Sequence, residues 1–251
     1  MKKVILFLML ILSSLSFSAK KFYVGTNAEF MPYEYLENGK MVGFDVELMD
    51  AIGKELGYDI VWSNMGFDGL LPALQMKKID AVIAGMSQTP ERQKAVTFSM
   101  PYMLVSSDEH LVIVNENSSL TKKEELKGKK VGVQIGTIQE EYTKQLGGIP
   151  QLYNSWTGAL MDLQNNKIDA VIIADVSGKE YLSSMKGIKK VDVVIDDRPG
   201  ASIALRKGET ELAEKINQAI LKLDENGTYL NILQKYFPDK VEKYKELKEK
   251  K

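Results

Sequence analysis

The chain has 251 residues, 44% hydrophobic and 27% charged, which is long enough for two small lobes that each bury a core. Its 33 basic and 34 acidic residues nearly cancel, and this balance favours neither nucleic-acid nor anionic-membrane binding. Because the chain has no cysteine, it has neither a disulfide framework nor a lipid-modified cysteine.

Residues 1–18 have the pattern of a secretory signal peptide. Two lysines precede the apolar run Val4–Leu12, and small residues follow at the positions expected for cleavage after Ser18 or Ala19. The nine apolar residues of the run are about half of the ~20 that a membrane anchor needs. We therefore expect export, most simply to a bacterial periplasm. Removal of the peptide leaves 31 basic against 34 acidic residues, a net charge of −3.

The first part of the mature chain predicts alternating strands and helices, with a helix that Asp45 caps and Gly57 ends. Leucines and other apolar residues at helical spacing give each helix a buried stripe. The predicted elements are, in chain order, a strand at Lys21–Gly25, a loop at Thr26–Leu36, a turn at Asn38 and Gly39, the helix from Asp45, a strand at Tyr58–Ser63, a helix and the strand Ala81–Ala84, a helix with Pro90 at its first position, and a strand at Leu111–Val114.

The middle of the chain contains a repeat. Phe67–Ser87 and Trp156–Val176 align without a gap at an offset of 89 residues, with ten identities in 21 positions. Each copy predicts a helix followed by a short buried parallel strand, so the chain is expected to form two similar α/β lobes. Open α/β sheets bind ligands beyond the carboxyl ends of their strands. If the lobes face each other, the strand tips at Gly85–Ser87 and at Ala174 and Asp175 share a cleft.

The second lobe is predicted to interrupt the first. The chain would cross near residues 105–111 and return near 192–201, which gives lobe 1 as residues 20–107 plus 196–251 and lobe 2 as residues 108–195. The glutamate- and lysine-rich end from Val241 is expected to be a solvated, fraying helix end. The other predicted elements are a strand at Lys130–Gln134, a helix from about Gln139, the repeat strand Ala170–Ile173, a helix at Val176–Met185, strands at Val191–Ile195 and Ser202–Leu205, and helices at Glu209–Leu223 and from Asn226 to Phe237.

Arginine is scarce, with three arginines against thirty lysines, and one of them lies at a strand-to-helix turn. Arg92 follows Ser87 by five residues, where a planar guanidinium could hold a carboxylate with two hydrogen bonds. A surface salt bridge is the alternative for Arg92. Gly136 and Thr137 form a similar strand-to-turn anion site. Asp175, at the other repeat tip, offers a carboxylate to an ammonium group or caps the helix that follows it.

Three segments carry a resemblance to a known family: GFDVELMDAIGKELG, FDGLLPALQMKKIDAVIAGMSQTPERQKAVTFSMPY and VGVQIGTIQEE. They resemble the polar amino-acid-binding proteins of ABC transporters, solute-binding protein family 3, over the whole mature chain. The resemblance implies an α/β protein with the two-lobed periplasmic-binding-protein fold (type II, flytrap) and two crossing hinge strands. The combination GTNAEF, AGMSxTPxRQK and GTIQE is most similar to the arginine-binding branch.

The resemblance also implies site residues. The ligand carboxylate would bind Arg92, Ser87 and Thr137. Its α-ammonium group would bind Asp175 and the carbonyl of Gly85. The pocket for the ligand side chain would be formed by Asn27, Phe30, Phe67, Ala84, Met86 and Gln134.

The side-chain pocket favours a long cationic amino acid, arginine before lysine or ornithine. Glu29 and Glu34 are the nearest acidic residues, and aromatic rings can stack on a guanidinium group. Glutamine is the alternative ligand, because Asn27 and Gln134 could pair with its amide. Histidine-type and glutamine-type members often have aspartate where this chain has Asn27, and glutamine-type members have basic or aromatic-nitrogen side chains where this chain has Gln134 and Ala174.

The expected partners are an amino acid and the membrane-embedded permease of an ABC transporter, with the protein itself a monomer that binds no nucleic acid. We expect no cofactor, no metal site and no catalytic residue, because the sequence offers no Ser/His/Asp set, no cysteine nucleophile and no histidine cluster. Two other readings stay open. One is a periplasmic dehydratase on the same fold, and the other is a secreted adhesion or sensing module.

Overall fold

The computed structural model describes residues 19–104, 108–198 and 200–249, and the predicted signal peptide lies outside them. The strands are β1 Lys20–Thr26, β2 Glu29–Phe30, β3 Glu34–Glu37, β4 Lys40–Val42, β5 Tyr58–Asn64, β6 Ala81–Val82, β7 Val96–Pro101, β8 Asp108–Asn115, β9 Lys130–Gln134, β10 Ile149–Tyr153, β11 Ala170–Ala174, β12 Ile188–Asp196 and β13 Ser202–Arg206. The helices are α1 Phe44–Leu56, α2 Phe67–Gln75, α3 Pro90–Ala95, α4 Ile138–Gln145, α5 Trp156–Gln164, α6 Asp175–Ser184, α7 Thr210–Glu225, α8 Thr228–Tyr236 and α9 Val241–Glu249. Short 3₁₀ helices lie at Lys123–Leu126 and Pro238–Lys240.

The predicted mixed α/β class is confirmed by two five-stranded sheets. The first has the order β5-β1-β6-β13-β7, with β1 parallel to both β5 and β6 and with β13 antiparallel to its two neighbours. The second has the order β10-β9-β11-β8-β12, with β9 parallel to both β10 and β11 and with β8 antiparallel to its two neighbours. We call the elements around these sheets lobe 1 and lobe 2.

Both faces of each sheet are covered, which explains why the central strands are almost continuously apolar. In lobe 1, helices α1, α7 and α8 pack on one face and α2 packs on the other. In lobe 2, α4 packs on one face, while α5 and α6 pack on the other. The two repeat copies supply α2 with β6 and α5 with β11, one helix–strand unit for each lobe.

Helix α1 ends as predicted but does not begin as predicted. Gly57 adopts the left-handed conformation (φ 74°) and caps the carbonyls of Gly53 and Lys54. Gly43, not Asp45, is the N-cap residue, and Asp45 is fully buried inside the first turn. Its carboxylate accepts hydrogen bonds from outside the helix, which is why the expected capping contact is absent.

A three-stranded sheet of order β2-β3-β4 begins inside the segment Thr26–Leu36 that was predicted to be a loop, since β2 and most of β3 lie in that segment. Its strands have two, four and three residues, too short for an alternating pattern to stand out in the sequence. Asn38 and Gly39 form the predicted turn between β3 and β4, both with positive φ. This sheet brings Phe30 and Glu34 to the edge of the site described below.

The chain passes from β7 of lobe 1 to β8 of lobe 2, and it returns between β12 and β13. Part of the first predicted crossing, residues 105–107, lies outside the described residues. After α8 the chain continues into α9, which packs on lobe 1 through the buried Tyr244, so this predicted fraying end is a docked helix. Within the described ranges, none of the helices has the length and apolar character needed to cross a bilayer.

Candidate functional site

The carboxyl ends of four strands, two from each lobe, meet at one cavity. Asn27 follows β1, the segment from Ala84 to Ser87 follows β6, Thr137 follows β9, and Asp175 follows β11. This is the position that open α/β sheets use for ligands. The cavity is lined by Asn27, Phe30, Tyr33, Glu34, Phe67, Ala84, Gly85, Ser87, Arg92, Glu109, His110, Gln134, Thr137, Ile138, Gln139, Trp156, Ala174, Asp175, Val176 and Ala201.

Arg92 lies on the short helix α3, whose N-cap Thr89 accepts a hydrogen bond from the Arg92 backbone N–H. Its Nη1 donates to the Ser87 carbonyl at 2.8 Å, and its Nη2 donates to the Gly136 carbonyl of lobe 2 at 3.0 Å. The guanidinium carbon lies 5.3 Å from the centre of the Phe67 ring. Burial lowers the pKa of Arg92 to about 10, so the group remains cationic at neutral pH. It can attract an anion into the cavity.

Two amide side chains in the cavity lining, Asn27 and Gln134, bond to each other and so join the lobes. Gln134 donates from Nε2 to Asn27 Oδ1 at 2.9 Å and to the Asn154 carbonyl at 3.2 Å. Asn27 in turn donates to the Met65 carbonyl at 3.0 Å. Because both amides are used by these contacts, Asn27 and Gln134 are held in fixed orientations.

Asp175 is the first residue of α6 and therefore lies at the positive end of the helix dipole. Its Oδ2 accepts a hydrogen bond from Lys179 Nζ, one helical turn later, at 2.9 Å. Ala174, not Asp175, is the N-cap residue, so the capping alternative for Asp175 is wrong. The other carboxylate oxygen can accept a hydrogen bond from a ligand in the cavity that Asp175 lines.

Glu34 is 1% exposed and lines the cavity, and neither of its carboxyl oxygens has a hydrogen-bond partner among the described protein atoms. Behind it lies Asp45, whose Oδ2 accepts from the Gly85 N–H at 2.9 Å and from the Tyr102 hydroxyl at 2.7 Å. Burial raises the pKa of Glu34 well above its usual range, and the neighbouring Asp45 raises it further. Burial also raises the pKa of Asp45, to about 6.

Aromatic rings form the apolar walls. Phe30 stacks on Tyr33 with ring centres 4.9 Å apart, and Phe67 and the buried Trp156 lie at the starts of helices α2 and α5. Gly85 has a φ of 53°, and a Cβ atom there would lie 2.4 Å from Phe30. The chain can therefore make this approach only with glycine at that position.

The single histidine forms part of the wall nearest the crossing between the lobes. His110 Nδ1 lies 3.1 Å from Gln139 Nε2, and because an amide nitrogen donates, Nδ1 accepts and Nε2 holds the proton. His110 Nε2 lies 4.0 Å from Asp196 Oδ2. Burial lowers the pKa of His110 to about 4, which leaves the ring neutral at neutral pH.

Eleven of the thirteen predicted site residues line the cavity, and two do not. Glu29 is exposed and lies outside the lining, while Met86 packs into the apolar core beside α2. Between Glu29 and Glu34, it is therefore Glu34 that faces the cavity. Ala174, expected at the strand tip beside Asp175, lines the cavity as well. Sequence reasoning missed the other lining residues because no motif marks them: Tyr33, Glu109, His110, Ile138, Gln139, Trp156, Val176 and Ala201. Among the described residues, His, Asp and Glu side chains form no group that could hold a metal ion.

Comparison with known proteins gives consistent matches. The model of the bacterial extracellular solute-binding proteins, family 3, matches residues 22–239. The arginine-binding extracellular protein ArtP of Bacillus subtilis is 36% identical over 225 residues, 87% of this chain and 86% of that protein. A solved ancestral arginine-binding protein bound to arginine is 39% identical, with a TM-score of 0.80 over 88% of this chain and 99% of that one. An ancestral arginine-binding protein solved with glutamine is 40% identical, with a TM-score of 0.79 over 86% and 97% of the two chains.

Proposed function

Because the chain belongs to the bacterial extracellular solute-binding proteins of family 3, we propose that it captures a basic amino acid between its two lobes, arginine before lysine or ornithine. The family and the flytrap fold predicted from the sequence are confirmed. The relatives are named as binding proteins, so we propose binding and release without chemical change rather than a dehydratase activity. Delivery would be to an ABC permease outside the cytoplasm, after removal of the predicted signal peptide.

The charges in the cavity support a ligand with one anionic and two cationic groups. Arg92 is the buried cation, and the carboxyl groups of Asp175 and Glu34 line the same cavity. An α-amino acid with a cationic side chain has the complementary set, because its carboxylate suits Arg92, its α-ammonium group suits Asp175 and its side chain suits Glu34. An acidic side chain would put an unpaired carboxylate against Glu34, which is costly in a buried site.

The single observation that carries the choice of a basic ligand is Glu34. A buried carboxyl group whose oxygens have no protein partner is costly unless a ligand or a proton satisfies it. A guanidinium group presents paired N–H donors that match a carboxylate, whereas an ammonium group offers a point charge. This difference places arginine ahead of lysine and ornithine. Stacking of the planar group on Phe30 and Phe67 would add to the preference.

Glutamine is the second candidate, because Asn27 and Gln134 line the cavity and an ancestral arginine-binding protein of the same fold has been solved with glutamine. In this chain the two amides already bond to each other and to backbone carbonyls. A glutamine side chain would have to replace those bonds, which lowers the expected gain. We therefore place glutamine below the basic amino acids.

Calorimetric titration with L-arginine, L-lysine, L-ornithine, L-glutamine and L-citrulline tests the proposal. Citrulline has nearly the shape of arginine but replaces the guanidinium group by a neutral urea, so it isolates the charge. We expect arginine to bind at least about tenfold more tightly than citrulline and glutamine, from a charge-assisted hydrogen bond on the order of 1.5–3 kcal/mol. Tighter binding of glutamine than arginine, or tight binding of glutamate, would contradict the proposal.

We also propose the lobe limits, with residues 20–107 and 196–251 forming lobe 1 and residues 108–195 forming lobe 2. The division is supported by the two sheets, because β8 and β12 belong to the second sheet and β7 and β13 to the first. Asp196, the last residue of β12, marks the return limit. Limited proteolysis with and without L-arginine tests it. Cleavage confined to the interior of lobe 2, with no sites near either limit, would contradict the limits.

A further inference from the structure

Glu34 and Asp45 form a buried pair of carboxyl groups at the wall of the cavity. Both residues are at most 1% exposed, and the backbone brings them together, because the Asp45 N–H donates to the carbonyl of Tyr33, the neighbour of Glu34, at 2.9 Å. Burial raises the pKa of Glu34, and the charge of Asp45 raises it further. One oxygen of Asp45 and both oxygens of Glu34 have no donor from the described protein atoms. Two carboxylates this close cannot both be ionised in a buried site, since each disfavours the charge of the other.

Among the described residues, the other titratable groups that act on the pair are phenols, and these supply no positive charge. Tyr102 donates its hydroxyl proton to Asp45 Oδ2, and Tyr33 and Tyr229 are the further phenols close enough to interact electrostatically with this group of residues. The backbone N–H of Gly85 is the second donor to Asp45 Oδ2. Two donors on Asp45 favour its ionised form, so a single proton would be held on Glu34 and donated to the free Asp45 oxygen.

We propose that Glu34 and Asp45 share one proton in the ligand-free protein, and that a cationic ligand side chain displaces it. On binding, the Glu34 O–H bond breaks, the proton leaves to solvent, and the guanidinium group takes its place beside the carboxylate. A neutral side chain leaves the proton in position. Asp45, which lies outside the cavity lining, thus acts as a positioning residue that sets the charge state of Glu34 and hence the selection between cationic and neutral ligands.

The inference rests on the proposed function, and one experiment separates the two. Titration calorimetry of L-arginine at pH 6.5, in buffers with different ionisation enthalpies, measures the affinity and the number of protons released together. We expect about one proton released per arginine and close to none per L-citrulline. The arginine Kd should fall as the pH rises from 5.5 to 8, by up to about tenfold per pH unit below the pKa of the pair. His110 and Arg92 titrate outside this range, near 4 and 10.

Two variants test whether the proton released on arginine binding comes from Glu34 and Asp45. Asp45→Asn should flatten the pH dependence and abolish proton release, because the amide can donate to Glu34 and keep it ionised. Glu34→Gln should abolish proton release as well. Asp50→Asn is the matched control, since Asp50 lies on the same helix but bonds to Trp62 away from the cavity, and it should leave proton release unchanged.

A measurement on the unmodified protein covers the case in which a variant does not fold. The infrared difference spectrum between free and arginine-bound protein should lose one buried carboxylic-acid C=O band, and the citrulline difference spectrum should not. Arginine binding without proton release in the unmodified protein, or with release undiminished in Glu34→Gln and Asp45→Asn, overturns the shared proton while leaving the proposed function intact. Failure of arginine, lysine and ornithine to bind overturns both.

Discussion

Arg92 brings a full positive charge into the cavity, and the contacts that hold it there are two backbone carbonyls with partial charges. Three of its five N–H groups remain for a ligand. We expect Arg92→Ala to weaken arginine binding by about 2–5 kcal/mol, because the ligand carboxylate loses its charged partner in a desolvated site. Arg92→Lys should restore little of this, since lysine lacks the two-pronged donor geometry. Titration calorimetry measures both variants.

Arg206→Ala is the matched control for this loss. Arg206 is also partly buried, but it pairs with Asp80 and Glu209 on the far side of lobe 1 from the cavity. It should alter thermal stability without altering the ligand Kd. Near-normal affinity in Arg92→Ala would remove Arg92 from the carboxylate site.

Glu34 should make the stability of the ligand-free protein depend on pH. The folded pKa lies above the ordinary value of 4.5, so the folded state binds a proton more tightly than the unfolded state does. The resulting contribution to stability is fully present below pH 4.5 and is lost as the pH rises through the folded pKa. We therefore expect Glu34→Gln to raise the Tm of the ligand-free protein more at pH 8 than at pH 5. Scanning calorimetry at the two pH values measures this difference.

Glu37→Gln serves as the control, because Glu37 is an exposed residue of the same strand. Its Tm difference from the unmodified protein should be the same at both pH values. An equal Tm gain for Glu34→Gln at pH 5 and pH 8 would mean that Glu34 is not the titrating group.

At the level of single residues, the sequence reveals a functional group best where its type is unusual for its surroundings. Arg92 stands out because arginine is scarce and occurs at a strand-to-helix turn. Asp45 does not stand out, since an aspartate at the start of a helix is normally a cap. Its partners Gly85 and Tyr102 lie 40 and 57 residues away, so only the folded chain shows that its carboxylate turns inward.

At the level of elements, the turn after β6 positions the ligand site through Gly85. A Cβ atom there would collide with Phe30, and the residue has a positive φ. We expect Gly85→Ala to lower the free energy of unfolding by about 1–3 kcal/mol, from backbone strain and displacement of the ring. Ligand affinity should fall as well, because Phe30 is a wall of the cavity. Chemical denaturation and titration calorimetry measure the two effects.

Gly39→Ala separates strain from collision. Gly39 also has a positive φ, of 76°, but a Cβ atom there would have no neighbour within 4 Å. The Gly39→Ala variant should lose stability through backbone strain alone and keep its ligand affinity. Equal effects of the two substitutions on affinity would exclude the contact with Phe30 as the cause.

Long periodic elements could be predicted from the sequence, and short or tertiary-dependent ones could not. The strand Lys130–Gln134 lies where it was predicted, and the helix predicted at Glu209–Leu223 is observed at Thr210–Glu225. The strands β2 and β10 were missed, because two residues in one case and a proline-containing edge strand in the other give no clear period. Helix α9 was expected to fray, but Tyr244 and Lys248 both bond to Asp224 of α7.

At the level of the whole molecule, the two lobes hold each other through hydrogen bonds made by the protein itself. Gln134 bonds to Asn27, Arg92 bonds to Gly136, and Ser177 Oγ donates to the Met31 carbonyl at 2.9 Å. The first two lie at the cavity, where a ligand can rearrange them. Ser177 does not line the cavity, so its bond across the cleft contributes to closure independently of ligand contacts.

Ser177→Ala should therefore weaken ligand binding by making the closed state less favourable. A neutral hydrogen bond contributes about 0.5–1.5 kcal/mol, so the arginine Kd should rise by roughly twofold to tenfold. The affinity falls because the closed state is less populated in the variant. X-ray scattering should show a larger radius of gyration at subsaturating arginine than for the unmodified protein. Ser183→Ala is the matched control, since Ser183 lies on the same helix and bonds to Glu180 within it. An unchanged Kd for Ser177→Ala, or an equal loss in Ser183→Ala, would show that this contact does not favour closure.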